Sequence, residues 1–224
     1  MKWSLKRDLF ALVMIVVYVL VSLYFYPHLP EQVPYHFNGQ GVADDFGSKQ
    51  NVVWGGAAMM AGMYLLLTFI PFLDPFKKKI EQRYPVFLLF RDLAMGFSAA
   101  MAIITFLSAR DGKLQTELMA LAFGALFIGL GNYLPRLPRN FFFGIRSPWT
   151  LASETVWYRT HRVSGALFVI GGIPLCVLSL LRVPFGVTMP VVLVPLVVYT
   201  SFIYPYFLFR KLKHNGEINS LEAK

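Results

Sequence analysis

The densest chemistry in this sequence lies between Asn132 and Gly165, where Arg136, Arg139, Arg146, Arg159 and Arg162 share one connection with Glu154, His161, Trp149 and Trp157. Glutamate and histidine are the residue types of general acid–base work, and an arginine beside a helix start makes an anion site. Ser147-Pro148 reads as such a start, with Ser147 as N-cap and Pro148 at the first helical position. No breaker follows before Gly165, so one helix is predicted to run into the next apolar stretch, with Thr150, Glu154, Trp157 or Tyr158, and His161 on one stripe. Glu154 and His161 fall two turns apart, too far for direct contact. No nucleophile, base and orienting group converge, and no catalytic residue is assigned. The structural alternative is a buried polar network in which Glu154 neutralises an arginine and His161 bonds a carbonyl.

A second cluster lies between Pro27 and Asn51. His28, Glu31, His36, Asp44 and Asp45 are zinc-ligand types, but their spacing matches no metal motif, and neither a metal nor another cofactor is assigned. They serve more simply by capping turns and bonding backbone amides. Pro27, Pro30 and Pro34 predict extended backbone, Asn38-Gly39 and Gly41 a turn, and Asp44-Asp45 with Gly47-Ser48 another turn, so the connection should form an ordered cap. Tyr35, Phe37 and Phe46 could then anchor an incoming peptide, with His28, Glu31, Pro34, His36, Asn38 and Asp44 as the polar and shaping residues around them.

The elements that position these clusters are apolar runs. Of the 224 residues 56% are apolar and 15% charged, too greasy for a water-soluble core. Runs at about 9–26, 52–73, 86–107, 118–134, 163–181 and 185–209 each approach the roughly 20 residues that cross a bilayer. The fold class expected is all-α, a polytopic bundle of six transmembrane helices, with the first run retained because bulky Leu23 to Tyr26 replace a small-residue cleavage site. Pro190, Pro195 and Pro205 should kink the sixth span.

The net charge of +9 comes from short basic clusters between spans, as in cytoplasmic loops, and points to the lipid bilayer rather than nucleic acid as the partner. With the N-terminus inside, four of the 21 lysines and arginines, Lys49, Arg110, Lys113 and Arg182, lie outside and the other seventeen inside, which predicts cytoplasmic N- and C-termini. Residues 1–224 read as a single membrane domain, with 1–75 carrying two helices and the ordered outer loop 27–51, and 76–224 carrying four helices and the cytoplasmic motif 132–165. Arg91 and Asp92, near the inner end of the third span, are expected to snorkel to the interface. No ionisable residue falls mid-span, which disfavours a proton-coupled transporter, although Gly129 and Gly131 leave room for a backbone-lined path. Cys176, the one cysteine, allows no disulfide within the chain.

Asn140, Phe143-Gly144-Ile145-Arg146, Pro148-Trp149-Thr150, Glu154, Trp157 and Thr160-His161-Arg162 together resemble the signature of the SdpI family of bacterial membrane immunity proteins. Leu29-Pro30, Val33-Pro34, His36-Phe37-Asn38, Gly41, Asp44 and Ser48-Lys49 resemble an uncharacterised domain often joined to that family's N-terminal half. The resemblance implies six membrane helices and, in the best-known branch, immunity against a secreted killing peptide together with retention of a repressor at the membrane. A toxin peptide outside and a repressor inside are the implied partners. The alternatives from other classes are a membrane-embedded metal-dependent enzyme and a small-solute transporter.

Overall fold

The computed structural model describes residues 4–38, 43–183 and 185–218; Gly39 and Gly41 of the expected turn lie outside the described residues. Among the described residues six stretches are long and apolar enough to cross a membrane, Leu5–His28, Lys49–Leu73, Tyr84–Asp111, Thr116–Arg136, Glu154–Leu180 and Phe185–His214. Helix is the outcome because each run must satisfy its own backbone polar groups away from water. The chain is a multi-pass membrane protein.

Helix α1 (Leu5–Phe25) leads through a short 3-10 turn at Tyr26–His28 into an antiparallel hairpin, β1 (Gln32–Phe37) and β2 (Ala43–Ser48). Pro27 therefore sits in a helical turn rather than in extended backbone, as a proline can where its missing N–H is not called for. Asp44, Asp45 and Gly47 form strand β2 instead of the expected second turn, because Glu31 to Phe37 offers that segment a pairing partner. Ser48 then caps α2 (Lys49–Leu73) by accepting the Asn51 N–H.

The α2 helix ends at Asp74, whose extended backbone (φ −72, ψ 131) is what the following Pro75 favours. A short α3 (Lys77–Gln82) precedes α4 (Tyr84–Asp111), which returns to the hairpin end and packs on α1 and α2 around Ala11, Tyr18, Met60, Met95 and Phe106. Val33 and Leu29 are buried in the same cluster, so the hairpin is seated on the bundle rather than tethered to it.

Helix α5 (Thr116–Tyr133) runs back against α7 (Glu154–Leu180). Two reciprocal glycine pairs bring their backbones together: a Cβ on Gly131 would lie 2.6 Å from the Gly165 carbonyl oxygen, and one on Gly172 would lie 2.7 Å from that of Gly124. Such small-residue contacts suit a membrane, where van der Waals approach replaces the hydrophobic drive between helices. Gly131 thus closes the packing that the sequence left open as a path, and a Cβ on Gly129 would meet Leu93 at 2.9 Å.

The last span, α8 (Phe185–Val198) and α9 (Tyr204–His214), is joined by a π-turn at Tyr199–Ile203. Pro205 lacks the N–H that would continue the ladder, and the expected kink takes this form. Two turns at the hairpin end differ in an informative way. Gly112 ends α4 in the left-handed region (φ 62). At the end of α7 the Arg182 N–H donates to Ser179 O and the Val183 N–H to Leu178 O, a Schellman closure that usually has glycine in the slot Arg182 fills at φ 58. That conformation costs an L side chain roughly 1 kcal/mol.

Candidate functional site

The motif between Asn132 and Gly165 folds at the end of the bundle opposite the hairpin. After a 3-10 turn at Leu134–Arg136 the chain is irregular to Ser147. Asn140, fully buried, organises it: its Oδ1 accepts the N–H groups of Phe142 (2.9 Å) and Phe143 (2.6 Å), and its Nδ2 donates to Pro138 O at 2.9 Å. Phe143 is thereby turned inward onto Phe87, at 5.0 Å between ring centres, while Phe141 stacks on Phe76. Only the second arrangement leaves an aromatic ring half exposed at the membrane surface.

Gly144 follows at φ 93, and a Cβ there would stand 2.4 Å from His161 Nε2. No other residue fits both the backbone and the space. His161 uses both ring nitrogens: Nε2 accepts the Ile145 N–H at 3.0 Å, so the ring proton is on Nδ1, which donates to Trp157 O at 2.8 Å. Trp157 stacks on the imidazole at 4.0 Å and donates its indole N–H to Leu137 O at 2.9 Å. These contacts realise the structural alternative for His161, a carbonyl-bonded core histidine, and leave no ring nitrogen for a ligand.

The predicted continuous helix is broken. Ser147 caps a five-residue α6 (Pro148–Ala152), where the Thr150 hydroxyl accepts the Ser147 N–H at 2.8 Å and reaches Ile145 O at 2.9 Å. Ser153 is then extended (φ −136, ψ 130), buried, and acts as N-cap of α7 by accepting the Val156 N–H. The overlooked signal is a serine directly before a glutamate, which favours a helix start as strongly as Ser147 does. The break takes Thr150 off the stripe of Trp157 and His161.

Glu154 pairs with Lys79 of α3, a lysine rather than the expected arginine, and both side chains remain partly exposed. Arg146 is exposed and donates to Phe141 O at 2.7 Å, which secures the loop. Trp149 packs edge-on against Tyr206 at 5.3 Å, joining the motif to α9. Arg139 lies over the Phe76 ring at 4.6 Å, and Arg162 is exposed.

Near this end Asp74 is a group the sequence does not single out, and Arg91 departs from its expected place. Asp74 is buried and accepts the N–H groups of Phe76 and Phe141, each at 2.7 Å, which ties the α2 terminus to the motif. Arg91 is 0% exposed. It does not snorkel: its guanidinium pairs with Asp8 of α1, bonds Asp92 at 2.9 Å, Thr68 Oγ1 of α2 at 3.2 Å and Arg7 O at 3.0 Å, while the Tyr64 hydroxyl donates to Asp8 at 3.2 Å. Asp8 in the first turn of an otherwise apolar run is the signal that an intramembrane cation needed a partner.

At the hairpin end the candidates are mostly exposed. His36 Nδ1 meets Asp44 Oδ1 across the strands at 2.6 Å, Lys49 pairs with Glu31 at 2.6 Å, and His28 Nδ1 meets Tyr24 O at 3.0 Å. Among the described residues no three histidine, cysteine, aspartate or glutamate side chains converge on a metal position. Pro34 is buried in β1, and Asn38 follows the strand. Tyr35 and Phe46 are about half exposed (52% and 51%), and the Asp45 carboxylate beside the Tyr35 phenol holds it above its ordinary pKa. Phe37 lies in β1, and its side chain lies outside the described part.

Fold and site together define a six-span membrane protein with a seated hairpin at one end and a hydrogen-bonded polar loop at the other. Residues 136–207 match the SdpI/YfhL protein family and residues 13–61 match a domain of unknown function (DUF1648). The chain is also 22% identical over 209 residues to the "Immunity protein SdpI" of Bacillus subtilis (strain 168), an alignment covering 93% of this chain and 98% of that protein. The chain is thus similar to the SdpI/YfhL family, by the family model over residues 136–207 and by this relative over most of its length. No solved structure matches it.

Proposed function

We propose that this protein confers immunity of the SdpI type, protecting the cell that carries it against a secreted membrane-active peptide. The observation that carries this reading is the likeness to an immunity protein along 93% of the chain, which takes in both the hairpin and the polar loop. The hairpin face, with Tyr35, Phe46 and the His36–Asp44 pair exposed, supports engagement of the peptide from outside, since half-exposed aromatic rings on a rigid base are the anchors such contacts use. The excess of basic residues at the opposite end supports a cytoplasmic placement of the loop and both termini. There Arg146, Arg162 and the Lys79–Glu154 pair are exposed enough to meet a cytoplasmic partner such as a repressor, whereas Asn140, Gly144, Trp157 and His161 hold the loop in shape.

Expression in a sensitive strain challenged with a panel of secreted membrane-active peptides should raise survival against at least one. His36→Ala should lower that protection while leaving the amount of protein in the membrane unchanged. Survival that is unaltered against every peptide in the panel would remove the immunity reading.

A further inference from the structure

Beside the hairpin lies a cavity of about 900 Å³, walled by Tyr35 and His36 of β1, Ser108 near the end of α4, Lys113 and Glu117 around the start of α5, and Arg182 with the first residues of α8. Its lower wall is apolar, with Met101, Ile104, Val187 and Met189. Met101 and Thr105 also wall a second cavity of about 320 Å³ between α1, α2 and α4, which reaches down to Ser98 and Met60. The larger space has a polar mouth over an apolar floor, and Met101 and Thr105 form the wall that it shares with the smaller one. From Ser108 to Ser98 the α4 rise is roughly 15 Å, about half of the roughly 30 Å hydrocarbon core of a bilayer. One leaflet has that depth.

Charge points to the same occupant. Of the four cations at the hairpin end, Lys49 pairs with Glu31 and Arg110 with Asp111. The other two, Lys113 and Arg182, form no ion pair among the described residues, and both line the cavity mouth. Arg182 moreover holds the left-handed slot at the end of α7 where glycine would be unstrained, as Gly112 is at the end of α4. Glu117, the one carboxylate of the wall, leaves the mouth with a surplus of one positive charge, which complements a phosphodiester.

The geometry points to a phospholipid site: the phosphate of a lipid from the leaflet on the hairpin side sits between Lys113 and Arg182, and an acyl chain runs past Met101 toward Ser98. This inference goes beyond the immunity reading and stands apart from it, because its test uses no toxin.

The full chain, purified in a neutral detergent, is titrated with phosphatidylglycerol and with diacylglycerol of the same chains, bound lipid being counted by native mass spectrometry. Phosphatidylglycerol should remain bound and diacylglycerol should not. The double variant Lys113→Gln with Arg182→Gln should weaken phosphatidylglycerol at least tenfold, whereas Arg110→Gln, at a paired cation, should not. Met101→Trp, which fills the junction between the cavities, should also weaken it, and Arg182→Gly should lose lipid while unfolding no earlier than the parent, a result a purely structural arginine would not give. Equal retention of diacylglycerol, displacement by inorganic phosphate alone, or unchanged binding in the double variant would overturn the site. So would stoichiometric capture of an amphipathic peptide that phosphatidylglycerol fails to compete away.

Discussion

The two ends of this bundle solve opposite problems. At the loop end, three polar side chains are taken out of solvent and paired: Asn140 with three backbone groups, His161 with Ile145 and Trp157, Asp74 with Phe76 and Phe141. Removing any one of them strands its partner, so the end is over-determined. At the hairpin end the pairs are exposed, the aromatic rings are uncovered and two cations have no ion-pair partner among the described residues. Exposed pairs cost little to break, and a surface so built can meet a ligand without first dismantling itself. Dense motif residues therefore mark the rigid end, and sparse ones the adaptable end.

The comparison breaks most visibly at Arg91. Arg91→Leu leaves Asp8 without its buried counter-charge and should destabilise the protein by about 3 kcal/mol or more, read from unfolding in a denaturing detergent. A loss below about 1 kcal/mol would mean that water reaches this network. Next comes Gly144→Ala, which meets both the positive φ and the His161 ring; about 2 kcal/mol is expected, with faster hydrogen exchange at the Ile145 amide. The smallest effect sharpens the contrast: Glu154→Gln and Lys79→Gln should each cost about 0.5 kcal/mol, and the double change little more than either, since the pair is partly exposed. A drop in protection larger than this stability change would assign the pair to a partner contact.

Much of this was legible in the chain. Apolar length announces a span because the bilayer sets it, and Ser147-Pro148 announces a helix start because the cap is local. Ser153 before Glu154 permits a second helix start without forbidding one continuous helix; the buried Ser153 cap and the Trp157–Leu137 bond accompany the break. The sequence around Glu154 offers an arginine to neutralise, and Lys79, far away in sequence, takes that place. Arg91 looked like an interface residue until α1 brought Asp8 beside it.

By itself the sequence determined the number of spans, the two polar connections between them and the kink of the last span, all consequences of local backbone chemistry in a medium without water. Tertiary structure alone decided which charges are buried, which glycines bring helices together and which two cations are left over at the cavity mouth. Those outcomes depend on pairing across long separations, and spacing along one chain carries no information about which distant group arrives.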